Sequence, residues 1–413
     1  MRLFTNSLEA VFVSRPNRFV ITAKSGEKLI RAHCPNPGRL EEILHPGRTL
    51  IFEEAGVQPA SPAPPPALSN VRSSSIVPKP EGAARKTAYT LVGVHYKGKV
   101  IPLYSGRANH AARELIIPRL FPWADTVVPE YRAGSSRFDF FLTGSGRSAL
   151  VEVKACTLVE HGVAMFPDAP SLRGKRHIEE LAVLGGGGNG AGSGHVLFVV
   201  MHEDAHSFVP NIHTDPAFAA SLAELCCKIG IHAASLSCSA SGEASLVNCS
   251  IPVDLGPAAL ARRNAGVYFL LIELSGDRTI TAGALPAAHF SAGFYVYAGS
   301  ARKNLQQRLQ RHTRKRKKLH WHIDYLLAEA ASVKGYPILS AGDLECRLAA
   351  DIGGFAEYDV SGFGSSDCSC PSHLFYFSSN PMDREEFTDL LCRYRHIDGL
   401  EGYRDAEAKA AGR

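Results

Sequence analysis

The sequence lacks the long apolar segments of membrane-spanning proteins and the densely spaced cysteines of disulfide-bonded proteins. No apolar run in the chain approaches the roughly 20 residues of a membrane helix. The first residues lack the apolar stretch of a signal peptide. Ten cysteines are scattered without the dense spacing of a disulfide scaffold. These absences predict a cytoplasmic protein without a membrane segment, whose cysteines are free thiols.

The chain also has no large excess of positive over negative charge. The net charge of +5 is small for 413 residues, so the overall charge says little about a nucleic-acid partner. With 45% hydrophobic and 21% charged residues, the composition is that of a globular protein, and the length predicts about two to four domains. Two low-complexity segments cannot contribute to a core: we expect a disordered insertion at 58–82 and a flexible loop at 185–194.

A short hairpin carries the most informative residues of the chain. Asp139 lies on one β-prone run, and Glu152 and Lys154 lie on the next. Because side chains alternate along a strand, Glu152 and Lys154 share a face. The turn formers at 143–148 predict that the two runs pair as antiparallel strands, which brings Asp139 close to Glu152. Two carboxylates in this arrangement suit Mg²⁺ or Mn²⁺.

These three residues indicate a metal-dependent nuclease. A hard cation neutralises charge that develops on a phosphate, and the lysine orients or deprotonates the attacking water or stabilises the transition state. The alternative is a solvent-exposed strand on which the same residues have no catalytic role. The motif by itself leaves both open.

The surrounding motifs resemble those of a known family. In order along residues 1–255 stand HCPNPGR (33–39), RKT (85–87), ANH (108–110), SRFDF (136–140), VEVK (151–154), FPDA (166–169) and RGKRH (173–177). On these motifs the chain resembles the sugar fermentation stimulation protein family, SfsA. The resemblance implies an amino-terminal OB-like barrel, a PD-(D/E)XK nuclease-like α/β domain and DNA binding. It also implies that an acidic residue on the preceding helix joins the metal site. Glu114 stands there, and an ordinary surface glutamate is the alternative.

Several cationic residues in this region are candidate DNA contacts. OB-type barrels bind single strands through basic grooves, and phosphate contacts beside a metal site position the strand. The candidates are Arg15, Arg18, Arg31 and Arg39 on the barrel, and Arg173, Lys175 and His177 on the helix after FPDA. For the helix, pairing with Glu179 and Glu180 is the alternative. For each barrel arginine taken singly, an ordinary surface position without a DNA contact is favoured. The rigid turn at 33–38 suits either recognition or a structural role.

A second unit begins near residue 256. Its motifs are GVY (266–268), YAGSA (297–301) and LQQRLQRH (305–312). Over residues 257–395 it resembles the GIY-YIG nuclease superfamily. The resemblance implies that Tyr268 and Tyr297 orient or deprotonate water, that Arg308 stabilises developing charge, and that Glu345 binds a divalent metal. Packing of the tyrosine rings is the alternative.

Clustered charge in this unit predicts contacts with DNA. Residues 302–320 contain nine Lys or Arg and no acid. A solvated helix face normally mixes signs, whereas phosphate contacts need cations that release counterions. The predicted DNA-binding residues here are Arg311, Arg314, Lys315, Arg316, Lys317 and Lys318.

Three cysteines and a histidine in the same unit are zinc-ligand types. They are Cys346, Cys368, Cys370 and His373. A single residue separates Cys368 from Cys370, whereas a zinc knuckle has two residues between its thiolates, and this spacing disfavours zinc. The alternative is a cysteine-rich turn that closes the domain.

The sequence therefore predicts a multidomain protein of α/β and α+β class. Its parts are an OB-like barrel (1–88), a PD-(D/E)XK nuclease-like domain (89–255), a GIY-YIG-like domain (257–395) and a tail (396–413). Two functions stay open: a Mg²⁺- or Mn²⁺-dependent deoxyribonuclease, and a DNA-binding regulator of sugar metabolism for which the nuclease-like core is only a scaffold. The intact acid-acid-lysine set favours the nuclease.

Overall fold

The structure is a computed structural model that describes residues 1–54, 87–185, 192–283 and 286–401. The insertion predicted at 58–82 lies outside these residues, and so does most of the glycine-rich loop at 185–194.

A closed β-barrel forms the amino-terminal domain. Its strands are β1 (Leu8–Asn17), β2 (Val20–Ser25), β3 (Lys28–His33), β4 (Thr49–Glu54), β5 (Tyr89–Tyr96) and β6 (Lys99–Pro102). They follow the order β3-β2-β1-β4-β5-β6, and β3 closes the barrel against β5. The domain boundary predicted at residue 88 is therefore wrong, because β5 after it supplies the ladder hydrogen bonds for both β4 and β3.

The middle domain is built on a six-stranded sheet. Its strands are β7 (Thr126–Ala133), β8 (Ser136–Gly144), β9 (Arg147–Cys156), β12 (Ser193–Val200), β14 (Gly230–Cys238) and β15 (Ala244–Asn248). They follow the order β15-β14-β12-β9-β8-β7. A small second sheet consists of β10 (Val159–Glu160), β11 (Val163–Phe166) and β13 (Ser207–Pro210).

The predicted hairpin is confirmed in β8 and β9. The two strands are antiparallel, with Phe140 opposite Val151, and Ser145 and Gly146 form the turn with positive φ. Because side chains alternate, Val151 and Val153 face the core shared with the barrel, while Leu150 faces the opposite core.

Helices cover that opposite face. They are α3 (Leu172–Leu184) and α4 (Pro216–Glu224), and Ser171 caps α3 by accepting a hydrogen bond from the backbone N–H of Gly174. Between barrel and sheet runs one helical segment. It consists of a 3₁₀ turn (Ser105–Arg107), α1 (Ala108–Ala111), a π-helical turn (Ala112–Ile116) and α2 (Ile117–Leu120).

The carboxy-terminal domain has a five-stranded sheet. Its strands are β16 (Gly266–Leu274), β19 (Gly293–Ala301), β20 (Ser332–Leu339), β21 (Tyr358–Asp359) and β22 (Leu374–Phe377). They follow the order β20-β16-β19-β22-β21, and β17 (Arg278–Ile280) and β18 (Ala288–Phe290) form a separate hairpin. Its helices are α5 (Ala258–Arg263), α6 (Leu305–Thr313), α7 (His322–Glu329), α8 (Glu345–Gly353), a 3₁₀ turn (Pro381–Asp383) and α9 (Glu385–Arg393).

This domain packs against both others. One of its cores includes Met165 and Ile212 of the middle domain. Arg48 of the barrel pairs with Glu385 of α9 at 2.5 Å. Charged and apolar contacts together therefore join the three domains.

The predicted tail begins too early. A π-helical turn (Tyr394–Asp398) continues α9, and His396 and Leu400 are buried. Residues 396–401 belong to the fold because they fill space against the middle domain, where the His396 ring contacts the carbonyl oxygen of Glu160 at 3.1 Å. Residues 402–413 lie outside the described residues.

Within the described ranges, no helix combines the length and the apolar character that crossing a membrane requires.

Candidate active sites

Asp139 is held where β8 meets the first helical segment. Its Oδ1 accepts a hydrogen bond from Asn109 Nδ2 at 2.6 Å, and its Oδ2 accepts one from the backbone N–H of Val153 at 2.7 Å. The side chain is half-buried. Asn109 belongs to the ANH motif, to which sequence reasoning assigned no role, and only the contact between α1 and β8 reveals one.

Glu152 is buried and its two oxygens differ. Oε1 accepts hydrogen bonds from Lys154 Nζ at 2.5 Å and from His177 Nδ1 at 2.7 Å. Oε2 is buried without a hydrogen-bond partner among the described residues. A buried oxygen of this kind is costly unless a donor or a cation approaches it.

The pKa values of the two carboxyl groups move in opposite directions. Burial and the nearby Glu152 carboxylate raise the pKa of Asp139. Burial also acts to raise the pKa of Glu152, but the hydrogen bond from His177 and the charge of Lys154 outweigh it and hold that pKa below its ordinary value. Glu152 is thus an anion at neutral pH, and Asp139 experiences its charge.

The donor set fits a hard divalent cation. Carboxylate oxygens are the ligands that Mg²⁺ and Mn²⁺ prefer, and the free Oε2 of Glu152 supplies one beside Asp139. Glu114 lies in the π-helical turn, is exposed, and makes no hydrogen bond or ion pair with another described residue. Its role as a further ligand stays a prediction.

The three predicted DNA contacts on α3 have different environments. The prediction for His177 is wrong, because its side chain is 5% exposed and holds Glu152. Arg173 is exposed, although its Nε lies 3.4 Å from His177 Nε2. Lys175 is half-buried and pairs with Glu179 at 3.5 Å. Of the three, Arg173 is the most accessible to a phosphate.

The turn at 33–38 has a structural role. Arg15 donates hydrogen bonds to the carbonyl oxygens of Asn36, Gly38 and Arg39. A Cβ added at Gly38 would overlap the carboxylate of Asp168, so the HCPNPGR and FPDA motifs meet here. Arg15 is therefore not free to contact DNA, because its guanidinium is used to fix the turn.

The other barrel arginines that were predicted as DNA contacts are exposed. They are Arg18, Arg31 and Arg39, and Arg18 lies over the ring of Phe19 with 4.6 Å to the ring centroid. These three retain the accessibility that a phosphate contact requires.

The second set of predicted catalytic residues converges on a cleft of the carboxy-terminal domain. Tyr268 on β16, Tyr297 on β19, Arg308 on α6 and Glu345 at the start of α8 all line a cavity of about 370 Å³. Tyr268 pairs with Gly299 across the two strands, and a Cβ at Gly299 would lie 2.7 Å from the Tyr268 phenol. Only glycine leaves room for both rings.

Ser300 links two of these residues. Its carbonyl oxygen accepts a hydrogen bond from Arg308 at 2.6 Å, and its hydroxyl donates one to Glu345 Oε2. Two aromatic residues support this arrangement. His312 lies behind the wall and contacts the Tyr268 hydroxyl at 3.0 Å, while Trp321 lines the cavity and its ring centroid lies 5.0 Å from the guanidinium of Arg308.

Sequence reasoning missed the supporting residues Ser300, His312 and Trp321. The motifs YAGSA and LQQRLQRH contain Ser300 and His312, and Trp321 directly follows the basic run. Their closeness in sequence to the predicted catalytic residues was the signal that could have identified them. Strand pairing and helix packing decide their contacts.

Protonation distinguishes the tyrosines from the glutamate. Burial raises the pKa of both Tyr268 and Tyr297, so each phenol is neutral at pH 7. Burial acts to raise the pKa of Glu345 as well, but the nearby His373 imidazole and the hydrogen bond from Ser300 lower it overall. Glu345 is thus an anion at the edge of the cleft.

The basic run divides into tied and exposed cations. Asp324, fully buried, accepts hydrogen bonds from both terminal nitrogens of Arg311, at 3.0 and 2.7 Å, and Lys317 Nζ lies 3.5 Å from its Oδ1. The predictions for Arg311 and Lys317 are corrected, because both side chains neutralise this buried acid. The residues Arg314, Lys315, Arg316 and Lys318 are exposed.

The three cysteines and the histidine, whose spacing in the sequence disfavours zinc, do come together. Their candidate ligand atoms all lie within 4.8 Å of one another.

A barrel of OB type, an α/β domain with an acid-acid-lysine hairpin and a separate α+β domain define the multidomain class predicted from the sequence. Residues 13–59 match the family model described as the SfsA N-terminal OB domain, and residues 106–244 match the sugar fermentation stimulation protein RE domain. Residues 267–396 match the domain of unknown function DUF123.

Relatives agree with these matches. The chain is 40% identical over 229 residues to the sugar fermentation stimulation protein homolog of Moorella thermoacetica, covering 54% of this chain and 87% of the relative. It is 36% identical over 219 residues to that of Desulfitobacterium hafniense (strain DSM 10664 / DCB-2), covering 53% and 84%. The chain also matches the structure of Pyrococcus furiosus SfsA in complex with Ca²⁺, with 29% sequence identity and a TM-score of 0.49. The match covers 62% of this chain and 99% of the Pyrococcus furiosus chain. The chain belongs to the sugar fermentation stimulation protein family, and it carries a GIY-YIG-like domain at its carboxy-terminal end.

Proposed function

We propose that this protein is a DNA-binding, divalent-metal-dependent deoxyribonuclease whose active site consists of Asp139, Glu152 and Lys154. The observation that carries the proposal is the buried, unpartnered Oε2 of Glu152 beside a second carboxylate. A protein that used this hairpin only as a scaffold would have no need for a buried anionic oxygen without a donor.

The roles of the residues follow from their contacts. When bound between Asp139 and Glu152, Mg²⁺ or Mn²⁺ would neutralise the charge of the reacting phosphate and lower the pKa of an attacking water. Lys154 lies 2.5 Å from Glu152 and is partly exposed, so its ammonium orients the water or stabilises negative charge in the transition state. Asn109 and His177 are positioning residues, because each holds one of the carboxylates.

Exposed cations support DNA as the partner. They are Arg39 on the barrel, Arg173 on α3, and Arg314, Lys315, Arg316 and Lys318 after α6. Contacts of this kind fix the position of a backbone and carry no sequence information. We therefore propose that the protein binds the DNA backbone without a preference for particular bases.

The carboxy-terminal cleft supports a second phosphodiester hydrolase site. The specific observation is that Tyr268, Tyr297, Arg308 and Glu345, far apart in sequence, line one cavity. The neutral phenols would orient a water, Arg308 would stabilise the leaving oxygen, and Glu345 would hold a divalent cation. Lys154 has no counterpart among these four residues, so the two sites would differ in how the water is activated.

A cleavage assay with single-site variants tests the proposal. Wild type, Glu152→Gln and Glu345→Gln are incubated with single-stranded, nicked and duplex DNA, with Mg²⁺, with Mn²⁺ and with EDTA. We expect metal-dependent cleavage that Glu152→Gln reduces by at least about 100-fold. Glu179→Gln, an exposed glutamate of α3, is the matched control and should cleave like wild type.

Each outcome separates the alternatives. DNA binding without any metal-dependent cleavage would support the non-catalytic regulator. Cleavage that survives Glu152→Gln and disappears in Glu345→Gln would assign the activity to the carboxy-terminal cleft. Parallel reactions with RNA check the substrate class.

A further inference from the structure

Three thiols and one imidazole meet at the edge of the carboxy-terminal domain. Cys346 comes from the first turn of α8, and Cys368, Cys370 and His373 come from the segment that leads into β22. Their ligand atoms lie within 4.8 Å of one another. In tetrahedral zinc sites Zn–S bonds of about 2.3 Å place the sulfur atoms about 3.8 Å apart, so a contraction of about 1 Å forms the site. We infer that these four residues bind one structural zinc ion as a Cys₃His site.

The histidine is oriented for this role. Its ring is buried, and Nε2 lies 3.5 Å from Cys368 Sγ. The other nitrogen, Nδ1, lies 3.4 Å from Glu345 Oε1, close enough for an ion pair but without good hydrogen-bond geometry. Zinc at Nε2 would keep the proton on Nδ1, directed at the carboxylate, which is the usual arrangement of a zinc-bound histidine and its acidic neighbour.

Ligand chemistry selects zinc over other occupants. Thiolates are soft ligands, which excludes Mg²⁺ and Mn²⁺, and four S and N ligands in a cluster suit tetrahedral Zn²⁺. A disulfide would use only two of the thiols and would leave the third thiol and the imidazole without a function. The one-residue spacing between Cys368 and Cys370 is not an obstacle, because Cys346 arrives from a separate helix and the site is not a zinc knuckle.

The ion would have a structural consequence for the neighbouring cleft. It ties the start of α8, which carries Glu345, to the segment 361–374, in which Gly364, Ser366 and Asp367 line the cleft. Removing the ion would therefore free two walls of the cleft at once. This inference goes beyond the proposed nuclease activity and does not depend on it, because zinc binding is measured without DNA.

Metal analysis of the full chain tests the inference. The protein is expressed with added zinc, dialysed to remove weakly bound ions, and its metal content is measured by mass spectrometry. We expect about one zinc ion per chain in wild type and at least a tenfold loss in the double variant Cys368→Ser/Cys370→Ser. Cys249→Ser, with a partly exposed thiol in the middle domain, is the matched control and should keep the zinc.

A second measurement uses wild type only, so it stays informative if the double variant does not fold. Titration with an organomercurial in the presence of a zinc indicator should release the ion as the thiols react, and Co²⁺ should replace it with the visible absorption of a tetrahedral thiolate site. Wild type without zinc, zinc that survives the double substitution, or a Cys368–Cys370 disulfide in protein purified under reducing conditions would each overturn the inference.

Discussion

At the residue scale, the two oxygens of Glu152 define the amino-terminal candidate site. One oxygen accepts hydrogen bonds from both Lys154 and His177, and the other accepts none among the described residues. The protein therefore compensates the charge of Glu152 from one side and leaves the other side available. His177 is thus a second donor that holds the carboxylate independently of the lysine.

This arrangement predicts separate effects of Lys154 on activity and on folding. Lys154→Met keeps the length of the side chain and removes the ammonium, so we expect DNA cleavage to fall about 100-fold while the melting temperature changes little. Initial cleavage rates and thermal unfolding measure the two effects. Lys99→Met, which removes a half-buried cation of the barrel paired with Glu203 and Asp204, is the control. Equal rates in the two variants would contradict a catalytic role for Lys154.

A glycine sets the geometry of the second site. The ring of Tyr268 occupies the space beside Gly299, so Gly299→Ala would force a phenol or a strand to move. We expect a loss of about 1–3 kcal/mol in the free energy of unfolding. Gly342→Ala is the control, because a Cβ there meets no atom within 4 Å. Chemical denaturation measures the unfolding midpoint of both variants. Equal midpoints would show that the rings of Tyr268 and Tyr297 are not confined by Gly299.

At the element scale, the segment after α6 shows how tertiary contacts change the meaning of a charge run. Asp324 at the start of α7 forms ion pairs with Arg311 and Lys317. Burial acts to raise the pKa of Asp324, but hydrogen bonds from Arg311 and from the backbone N–H groups of Trp321 and His320 outweigh it and lower that pKa to about 2. Arg314, Lys315, Arg316 and Lys318 face solvent. The run therefore has a structural part and an accessible part.

The accessible part predicts the salt dependence of DNA binding. Replacing Arg314, Lys315, Arg316 and Lys318 by Gln should reduce the slope of log K against log salt for duplex DNA by about 0.9 for each phosphate that the variant no longer neutralises. Titrations at several salt concentrations measure the slope. Replacing Lys24 and Lys28 of the barrel by Gln gives a control of similar exposure. An unchanged slope in the first variant would exclude this segment from the DNA interface.

At the scale of the whole molecule, buried histidines join the domains. His45 of the barrel contacts Thr388 of α9 at 3.1 Å. His213 of the middle domain accepts a hydrogen bond from the backbone N–H of Leu339 and donates one to the carbonyl oxygen of Arg395, each at 2.9 Å. Burial lowers the pKa of His45 to about 4, that of His396 to about 3, and that of His213 well below its ordinary value.

These pKa values predict that acid loosens the assembly. The unfolded chain takes up protons at these histidines near pH 6.5 and the folded protein does so only at lower pH, so their contribution to stability is complete above pH 6.5 and is lost as the pH falls toward 4. His45→Gln should reduce the difference in unfolding free energy between pH 7.5 and pH 5.5 by on the order of 1 kcal/mol. His33→Gln, an exposed histidine of the barrel, is the control. The same pH dependence in both variants would contradict this account.

Local patterns predicted the hairpin, and the resemblance of the motifs to known families predicted the order of the domains and the candidate residues of both sites. Alternation along β8 and β9 and turn formers between them determine which residues share a face. The barrel boundary was missed because β5 pairs with strands on the other side of the low-complexity segment, and such pairing leaves no local signal. The roles of His177, Arg311 and Lys317 were missed because each is decided by a buried acid that lies elsewhere in the chain.

The amino-acid sequence was sufficient to predict the fold class, the family and the chemical types of the candidate site residues, because motifs and strand periodicity are local properties. Tertiary structure alone decided which cations are exposed, which oxygen of Glu152 is free and which thiols meet His373. Those properties depend on side chains that approach from separate elements, and their burial is set by the packing of the three domains against one another.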